Sequence, residues 1–587
     1  MIKEKSPIVN VFKTEWEHLG KRKKVFIFYT ILFFIAGIIS LMQPLVLGLI
    51  FNKVQNQITS ETELRSLIYS IFMLFAITIG FWIFHGTARI LEQKTGFFVH
   101  RNYINSKIEK VLELPTKWHK DNHSGSTIDK INRGGSAISS FSRGTTYDVF
   151  YAITNLFGSI IILLFFDIPA TVIALVFSCL TIYFIYKMDL KLSKQYKEIN
   201  SYGNKASAKI YDYISNIATV ITLRLKPTVK KEIDSSLMAS YKVEKKNILF
   251  NEIKWGVSGI TISLMTVIVL SFKAYTDYNA SGIIKIGTLY ILYGYLTQVG
   301  ETFYRFAYLY GNIVQYSSQI ENARLIDEEF DKTKIEGITN LPHDWKNIQI
   351  RNLSFNHNKK QAKLHLENIN LGFKKGQKIA FIGTSGSGKS TMLALLRGLV
   401  KSESGIVLVN GKYIEEGFNK IKNTITLIPQ DPEIFNNTIE YNITMGTRVD
   451  KKEINHSIKM AQFSSVLSRL PKGLQTNMLE RGVSLSGGEK QRLALARGLL
   501  AAKNSEIVLM DEPTSSVDTI NEIKIYSSII KEFKDKTIIS SLHKLHLLKM
   551  FDYIYVFDKG KIIAEGTFNQ LRANPIFRRI WEKYRPN

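Results

Sequence analysis

Long apolar runs separated by charged stretches constrain this chain more than any other feature. A run of roughly 20 apolar residues matches the thickness of a bilayer core. About six such runs precede residue 311, at 25–51, 67–91, 146–166, 168–187, 248–272 and 283–310. Hydrocarbon offers no hydrogen bonds, so each run must satisfy its own backbone, and at this length a helix does so. The first run follows a polar, charged stretch, 1–24. It is too long for a signal-peptide core and lacks a small-residue cleavage site, so it reads as a retained membrane helix. Pro44 and Gly48 fall inside it, where neighbouring helices can re-satisfy the freed backbone groups.

Charge orients these runs. The chain has 77 Lys and Arg against 50 Asp and Glu, a formal net charge of +27. Nucleic-acid binding and the positive cytoplasmic loops of a membrane protein both produce such a balance. Residues 52–66, the surroundings of 167, and 273–282 are short connections, whereas 92–145 and 188–247 are long and basic, and Lys21, Arg22, Lys23 and Lys24 precede the first run. With the positive side inside, the N-terminus, both long loops and the C-terminal half are cytoplasmic, and an even number of spans agrees. A multi-pass protein of the cytoplasmic membrane, partnered by the lipid bilayer, is expected. The basic loops lack the interleaved aromatics of single-strand binders, so no nucleic-acid partner is expected.

Apolar residues at helical spacing in 102–114 and 210–225 predict that the long loops are helical extensions of the spans. Turn signals at Leu114-Pro115 and at 122–125 bracket a short transverse helix over 116–120. Residues 327–346, with Gly337 and Pro342, read as a linker between a membrane domain, 1–326, and a soluble domain, 347–587. Cys179 is the single cysteine, which excludes an intrachain disulfide and a thiolate metal cluster. In the sixth run Glu301 and Arg305 stand four apart and can pair on one helix face, as a structural ion pair or facing a cavity. His85 and Arg89 in the second run pose the same alternatives. Tyr290, Tyr293, Tyr295, Phe303, Tyr304, Phe306, Tyr308 and Tyr310 crowd the sixth run, as packing and interfacial anchors or as a lining for cationic or amphipathic solutes.

The second half alternates strand-like and helix-like runs. Gly383, Thr384, Ser385, Gly386, Ser387, Gly388, Lys389, Ser390 and Thr391 follow an apolar run, 378–382, and open a helix-like one, 392–396. This is the phosphate-binding loop G-x-x-x-x-G-K-[ST] in strand–loop–helix context. Its glycines let backbone N–H groups crowd a polyphosphate at a helix N-terminus. Lys389 would reach the β- and γ-phosphates, and Ser390 would hold Mg2+. A second apolar strand, 507–510, ends in Asp511 and Glu512. Beside a phosphate loop such acids suit Mg2+ chemistry, with Asp511 in the metal shell and Glu512 polarising the attacking water; surface acids at a strand end are the plainer alternative.

Between these strands Leu485-Ser486-Gly487-Gly488-Glu489-Lys490-Gln491-Arg492 precedes a helix-like run. With it, 347–570 resembles the nucleotide-binding domain of ATP-binding cassette (ABC) transporters, the octapeptide standing as the signature motif between Walker A, 383–391, and Walker B, 507–512. Gln430 resembles the Q-loop glutamine, Glu480-Arg481-Gly482 the X-loop of exporters, 515–518 the D-loop and His543 the switch histidine. The membrane half is similar to the exporter arrangement, and 112–133 resembles its first intracellular loop. The resemblance implies a membrane all-α domain of six transmembrane helices with long cytoplasmic extensions, followed by an α/β P-loop NTPase cassette. It implies ATP and Mg2+ as cofactors, the metal on Ser390, Gln430 and Asp511, and a catalytic set of Glu512, His543, Gln430 and Lys389. It also implies a homodimer or a heterodimer with a second half-transporter, each ATP held between one phosphate loop and the partner copy's signature equivalent of Ser486, Gly487 and Gly488. The expected activity is ATP-driven export or flipping of a lipid, drug-like or peptide substrate. A passive or regulatory subunit and a non-transport ABC ATPase are the alternatives. One departure stands out: exporters place a tyrosine for adenine stacking where this chain has His357, and Phe355 could substitute only with a shifted strand register.

Overall fold

The computed structural model of the chain describes residues 6–334, 339–356, 365–478, 485–575 and 577–578. It divides into two compact units, a helical one of Met1–Leu114 with Trp118–Thr333, and a second of Pro115–Lys117 with Lys334–Asn587.

The first unit contains α1 (Pro7–His18), α2 (Lys23–Gln55), α3 (Glu61–Glu113), α4 (Thr116–Asp121), α5 (Ser124–Ser140), a π-helical turn (Phe141–Thr145), α6 (Thr146–Phe166), α7 (Ile168–Ser215), α8 (Ile217–Thr222), α9 (Lys226–Met238), α10 (Tyr241–Ser281) and α11 (Ile286–Thr333). Among the described residues, 5 helical stretches are long and apolar enough to cross a membrane: Gly20–Gln55, Glu61–Glu113, Ser124–Phe166, Ile168–Ser215 and Lys226–Ser281. That is one fewer than the sequence suggests. The sixth expected span lies in α11, where Gln298, Glu301, Arg305 and many tyrosines dilute the hydropathy. The helices outrun their apolar segments, α3 extending over 53 residues. Its start is fixed by a capping box, Ser60 Oγ accepting from Glu63 N while Glu63 Oε2 accepts from Ser60 N. The helix expected over 210–225 is broken at Asn216, between α7 and α8. The expected linker begins as helix, since α11 continues to Thr333 and its Asp327 accepts from Lys107 and Lys110 of α3.

Small residues let α2 and α11 approach closely. A Cβ at Gly48 of α2 would overlap Ile291 of α11, and one at Gly287 of α11 would overlap the Gly48 carbonyl. Close approach of this kind is how apolar helices associate without a hydrophobic driving force between them. Asn52 and Gln55 of α2 accept from the N–H groups of Gly287 and Ile286 at 3.0 and 2.9 Å, satisfying the open start of α11. Near Pro44, Tyr295 donates to the Leu41 carbonyl at 2.5 Å. Arg305 pairs with Asp148 of α6 at 2.8 Å rather than with Glu301. Both residues on α11 fit the four-residue spacing, but Arg305 leans across to α6 and lies over Tyr151.

The second unit has two sheets. An antiparallel one orders β2 (Leu366–Lys374), β1 (Asn347–Phe355), β4 (Ser404–Val409) and β5 (Lys412–Tyr413). The other orders β10 (Lys561–Gly566), β9 (Tyr553–Asp558), β3 (Lys378–Gly383), β8 (Thr537–Ser541), β7 (Ile507–Asp511) and β6 (Ile425–Ile428), parallel except for β10. Every residue of β3 and β8 is buried, the composition expected of strands covered on both faces. Phe355 is buried in the core with Leu366 and Phe557, so it is not free to stack on a base. His357 lies outside the described residues.

Candidate nucleotide site

The site forms where β3, β7 and β8 end. β3 runs into the loop through Gly383, whose φ of +148° and close neighbour, the Phe557 carbonyl, leave no room for a Cβ. Gly388, at φ +108°, immediately precedes α12 (Lys389–Leu396) and would meet Leu366 at 2.6 Å if it carried a side chain. No side chain caps α12, so the N–H groups of its first turn remain directed at the loop. Lys389 is 4% exposed and its ammonium donates to the carbonyls of Gly383 and Thr384 at 2.9 and 3.2 Å. Burial lowers its pKa, opposed by the nearby charges of Glu512 and Asp511. Ser387 Oγ is buried without a partner. A polyphosphate would satisfy both groups, so the residues present fit a nucleotide.

The acids arrive through strand register. β7 pairs Asp511 with Ser541 of β8. Ser541 Oγ and Ser390 Oγ both donate to Asp511 Oδ1, at 2.6 and 3.0 Å. Glu512 leaves the strand at φ +46°, its N–H donating to Ser541 Oγ at 3.0 Å. Its carboxylate is bracketed by His543 Nε2, 2.9 Å from Oε1, and Gln430 Nε2, which donates to Oε2 at 3.2 Å. Burial raises the Glu512 pKa and Asp511 adds to the rise, while His543 and Lys389 pull it down. The structure thus brings Lys389, Ser390, Gln430, Asp511, Glu512 and His543 together.

Ser486, Gly487 and Gly488 are not in that set. Ser486 caps α17 (Gly487–Ala501), its N–H donating to Glu489 Oε2 at 2.8 Å, and Glu489 in turn accepts from Arg469. A Cβ at Gly488 would lie 2.6 Å from the Ser516 carbonyl, whereas Gly487 faces open space. Two residues escaped the sequence reading. Gln491 donates to Ser515 Oγ at 2.7 Å and to the Gln430 carbonyl at 3.3 Å, and accepts from Ser516 N–H at 2.8 Å. It thereby fastens the Gln430 segment and the 515–518 loop to the start of α17. Ser541 holds both acids. Gln491 stands inside the signature octapeptide and was within reach of motif reasoning; Ser541 is one serine in a buried strand and carries no local signal. The 480–482 segment lies outside the described residues.

Comparison with known proteins matches the ABC transporter transmembrane-region family over residues 26–303 and the ABC transporter family over residues 366–515. A Staphylococcus aureus protein named for multidrug export, an ATP-binding/permease protein, is 27% identical over 478 residues, covering 80% of this chain and 81% of its own. ABC transporter B family member 6 of Dictyostelium discoideum is 26% identical over 97% of this chain and 85% of its own. The fold superposes on a bacterial Atm1-family ABC exporter with ATP bound at a TM-score of 0.84, with 22% identity, covering 96% of this chain and 100% of that one. The chain belongs to the ABC transporter superfamily, as an exporter-type half-transporter in which a helical membrane domain is fused to one ATP-binding, ATP-hydrolysing cassette.

Proposed function

We propose that two cassettes trap ATP between them and that its hydrolysis drives export of an amphipathic, drug-like, lipid or peptide solute out of the cytoplasm. The single observation that carries the reading is the connected set around Glu512, a half-buried carboxylate held between His543 and Gln430 beside Lys389. In this reading Glu512 accepts a proton from, and orients, the attacking water, and His543 and Lys389 face the γ-phosphate. Among the described residues no three His, Cys, Asp or Glu side chains cluster to hold a metal. Mg2+ would be held by Ser390, Asp511 and Gln430 together with phosphate oxygens, and would neutralise phosphate charge there. Ser486, Gly487 and Gly488 stand apart from their own chain's acid set, which supports their serving the phosphates bound by another cassette. One chain carries the residues for both faces of such a site, so two copies suffice, and a heterodimer with a second half-transporter meets the same need.

The N-terminus and cassette are placed in the cytoplasm, the bundle crossing the cell membrane, on the strength of the basic loops. The drug-like choice among substrates rests on the name of the Staphylococcus aureus relative and on exposed aromatics of α11, Tyr293 at 50% and Tyr308 at 61%. A passive subunit is disfavoured by the complete Glu512–His543 pair.

Glu512→Gln in the full chain in lipid nanodiscs should lower ATPase turnover by about 10²–10⁴-fold while ATP binding persists. Near-normal turnover would refute the assignment. Because the Glu512 pKa is raised and the base must be ionised, activity should be lost as pH falls at a higher pH than an ordinary glutamate would dictate.

A further inference from the structure

The amphipathic helix α1 carries a carboxyl that its surroundings leave unanswered. Glu15 is 1% exposed, and neither of its oxygens has a hydrogen-bond partner. α1 is seated by Val11 and Leu19 against Val99 and Tyr103 of α3, Ala137 and Ile138 of α5, Phe141 of the π-helical turn, and Ile313 and Ile320 of α11. Into this apolar seat come Glu92 of α3, Tyr29 of α2, Ser142 of the π-helical turn and Thr146 of α6, all fully buried. The hydroxyls of Tyr29 and Ser142 also lack partners. The groups bearing or able to bear charge that reach Glu15 are thus Glu92, with its Arg89 partner, and Tyr29. α5 and α11 bring apolar side chains, and the π-helical turn and α6 bring hydroxyls.

The two acids are not equivalent. Glu92 accepts from the Arg89 guanidinium with one oxygen and from the Tyr147 N–H, at 3.2 Å, with the other. Both of its oxygens are thus engaged. Glu15 has no cation beside it, only the Ser142 and Thr146 hydroxyls to ease its burial, and a carboxylate in such a seat is strongly disfavoured. As a carboxylic acid it gains a donor that a neighbouring hydroxyl can accept. The seat also includes a π-helical turn, a form that recurs at functional sites.

We propose that Glu15 is a proton-binding site of the membrane domain, protonated while α1 is seated and deprotonated when the seat opens to water. On opening, the carboxyl O–H breaks, the proton passes to water, and the carboxylate left behind is solvated. Loss of water on burial, opposed by the Ser142 and Thr146 hydroxyls and aided by the Glu92 charge, pushes the seated carboxyl up to about 7, well above a solvated glutamate. Opening at neutral pH therefore releases the proton, and reseating recovers it.

Infrared spectroscopy of the full chain in lipid nanodiscs tests this without nucleotide, so the result stands or falls apart from the exporter reading. A protonated-carboxyl C=O band should fall roughly tenfold between about pH 6 and pH 8, as expected for a group titrating near 7. Glu15→Gln should remove the Glu15 share of that band, read as the wild-type minus variant difference spectrum, and Glu92→Gln, which takes away the neighbouring negative charge, should shift the Glu15 midpoint to lower pH. A wild-type minus Glu15→Gln difference spectrum that lacks the band, or in which the band does not titrate, overturns the proposal. So does a midpoint that moves with sodium concentration at constant ionic strength, which would make the ligand a metal cation. If Glu15→Gln does not fold, the wild-type titration and the Glu92→Gln midpoint decide. Trapping with ATP and vanadate near neutral pH should bleach the band if the seat opens in the cycle; an unchanged band overturns the release step.

Discussion

The cassette and the membrane domain hold buried cations by different means. In the cassette, Lys378 is 6% exposed and donates to the backbone carbonyls of Gly376, Phe533, Lys534 and Lys536 at 2.7 to 3.0 Å. Lys536 is held likewise by the carbonyls of Ala502, Lys503 and Ser505. In the membrane domain, Lys254 of α10 is 3% exposed and faces Asp189 of α7 at 3.0 Å. Lys107 and Lys110 of α3 share Asp327 of α11. A long helix uses its own carbonyls in its own hydrogen bonds, so a cation buried among helices finds its partner on a side chain of another helix. Strand ends and loops leave carbonyls open, so a lysine there needs no acid. The buried lysines of the membrane domain are therefore answered by carboxylates on other helices, and losing the acid strands the cation.

That contrast can be broken by substitution. Lys254→Met leaves the Asp189 carboxylate buried and alone, and should destabilise the membrane domain by about 3–5 kcal/mol. Adding Asp189→Leu should recover most of that loss in thermal unfolding of the purified chain; a double variant as unstable as the single one would show that pairing is not what matters. Lys378→Met strips charge-assisted bonds from carbonyls but leaves no naked charge, so a smaller cost of about 2–3 kcal/mol is expected. A Lys378→Met loss exceeding that of Lys254→Met would reverse the comparison. The smallest effect concerns a device common to both halves, the serine capping box. Ser60→Ala and Ser486→Ala should each cost about 1 kcal/mol of stability. Only Ser486→Ala should also lower ATPase, and equal ATPase in both would remove Ser486 from the proposed site.

How far each region could be read from its residues follows the same division. The strand Ile507–Asp511, the loop at Gly383–Thr391 and the helix starting after Ser486 are contiguous patterns, and each lies where its pattern says. In the membrane half the apolar runs at 25–51 and 146–166 announce α2 and α6, yet α1 goes unseen. Its segment is too charged to register as apolar, and its buried side is clear only once Val11 and Glu15 are seen facing α3 and α11. Arg305 shows the limit of spacing arguments. Glu301 stands four positions away on the same helix, but the partner is Asp148, 157 positions distant.

From the sequence alone come the division into a lipid-facing helical half and a phosphate-binding half, the order of the nucleotide motifs, and the identity of the residues that carry them. Each is a property of neighbouring residues: apolar length, turn chemistry, and a glycine-rich loop between a strand and a helix. Only the tertiary structure decides that Ser390 and Ser541 both donate to Asp511, that Gln491 fastens two loops, and that Glu15 sits dry beside Glu92. Ser390 and Asp511 are 121 positions apart, and no local pattern encodes which side chains meet when strands take their register and helices pack.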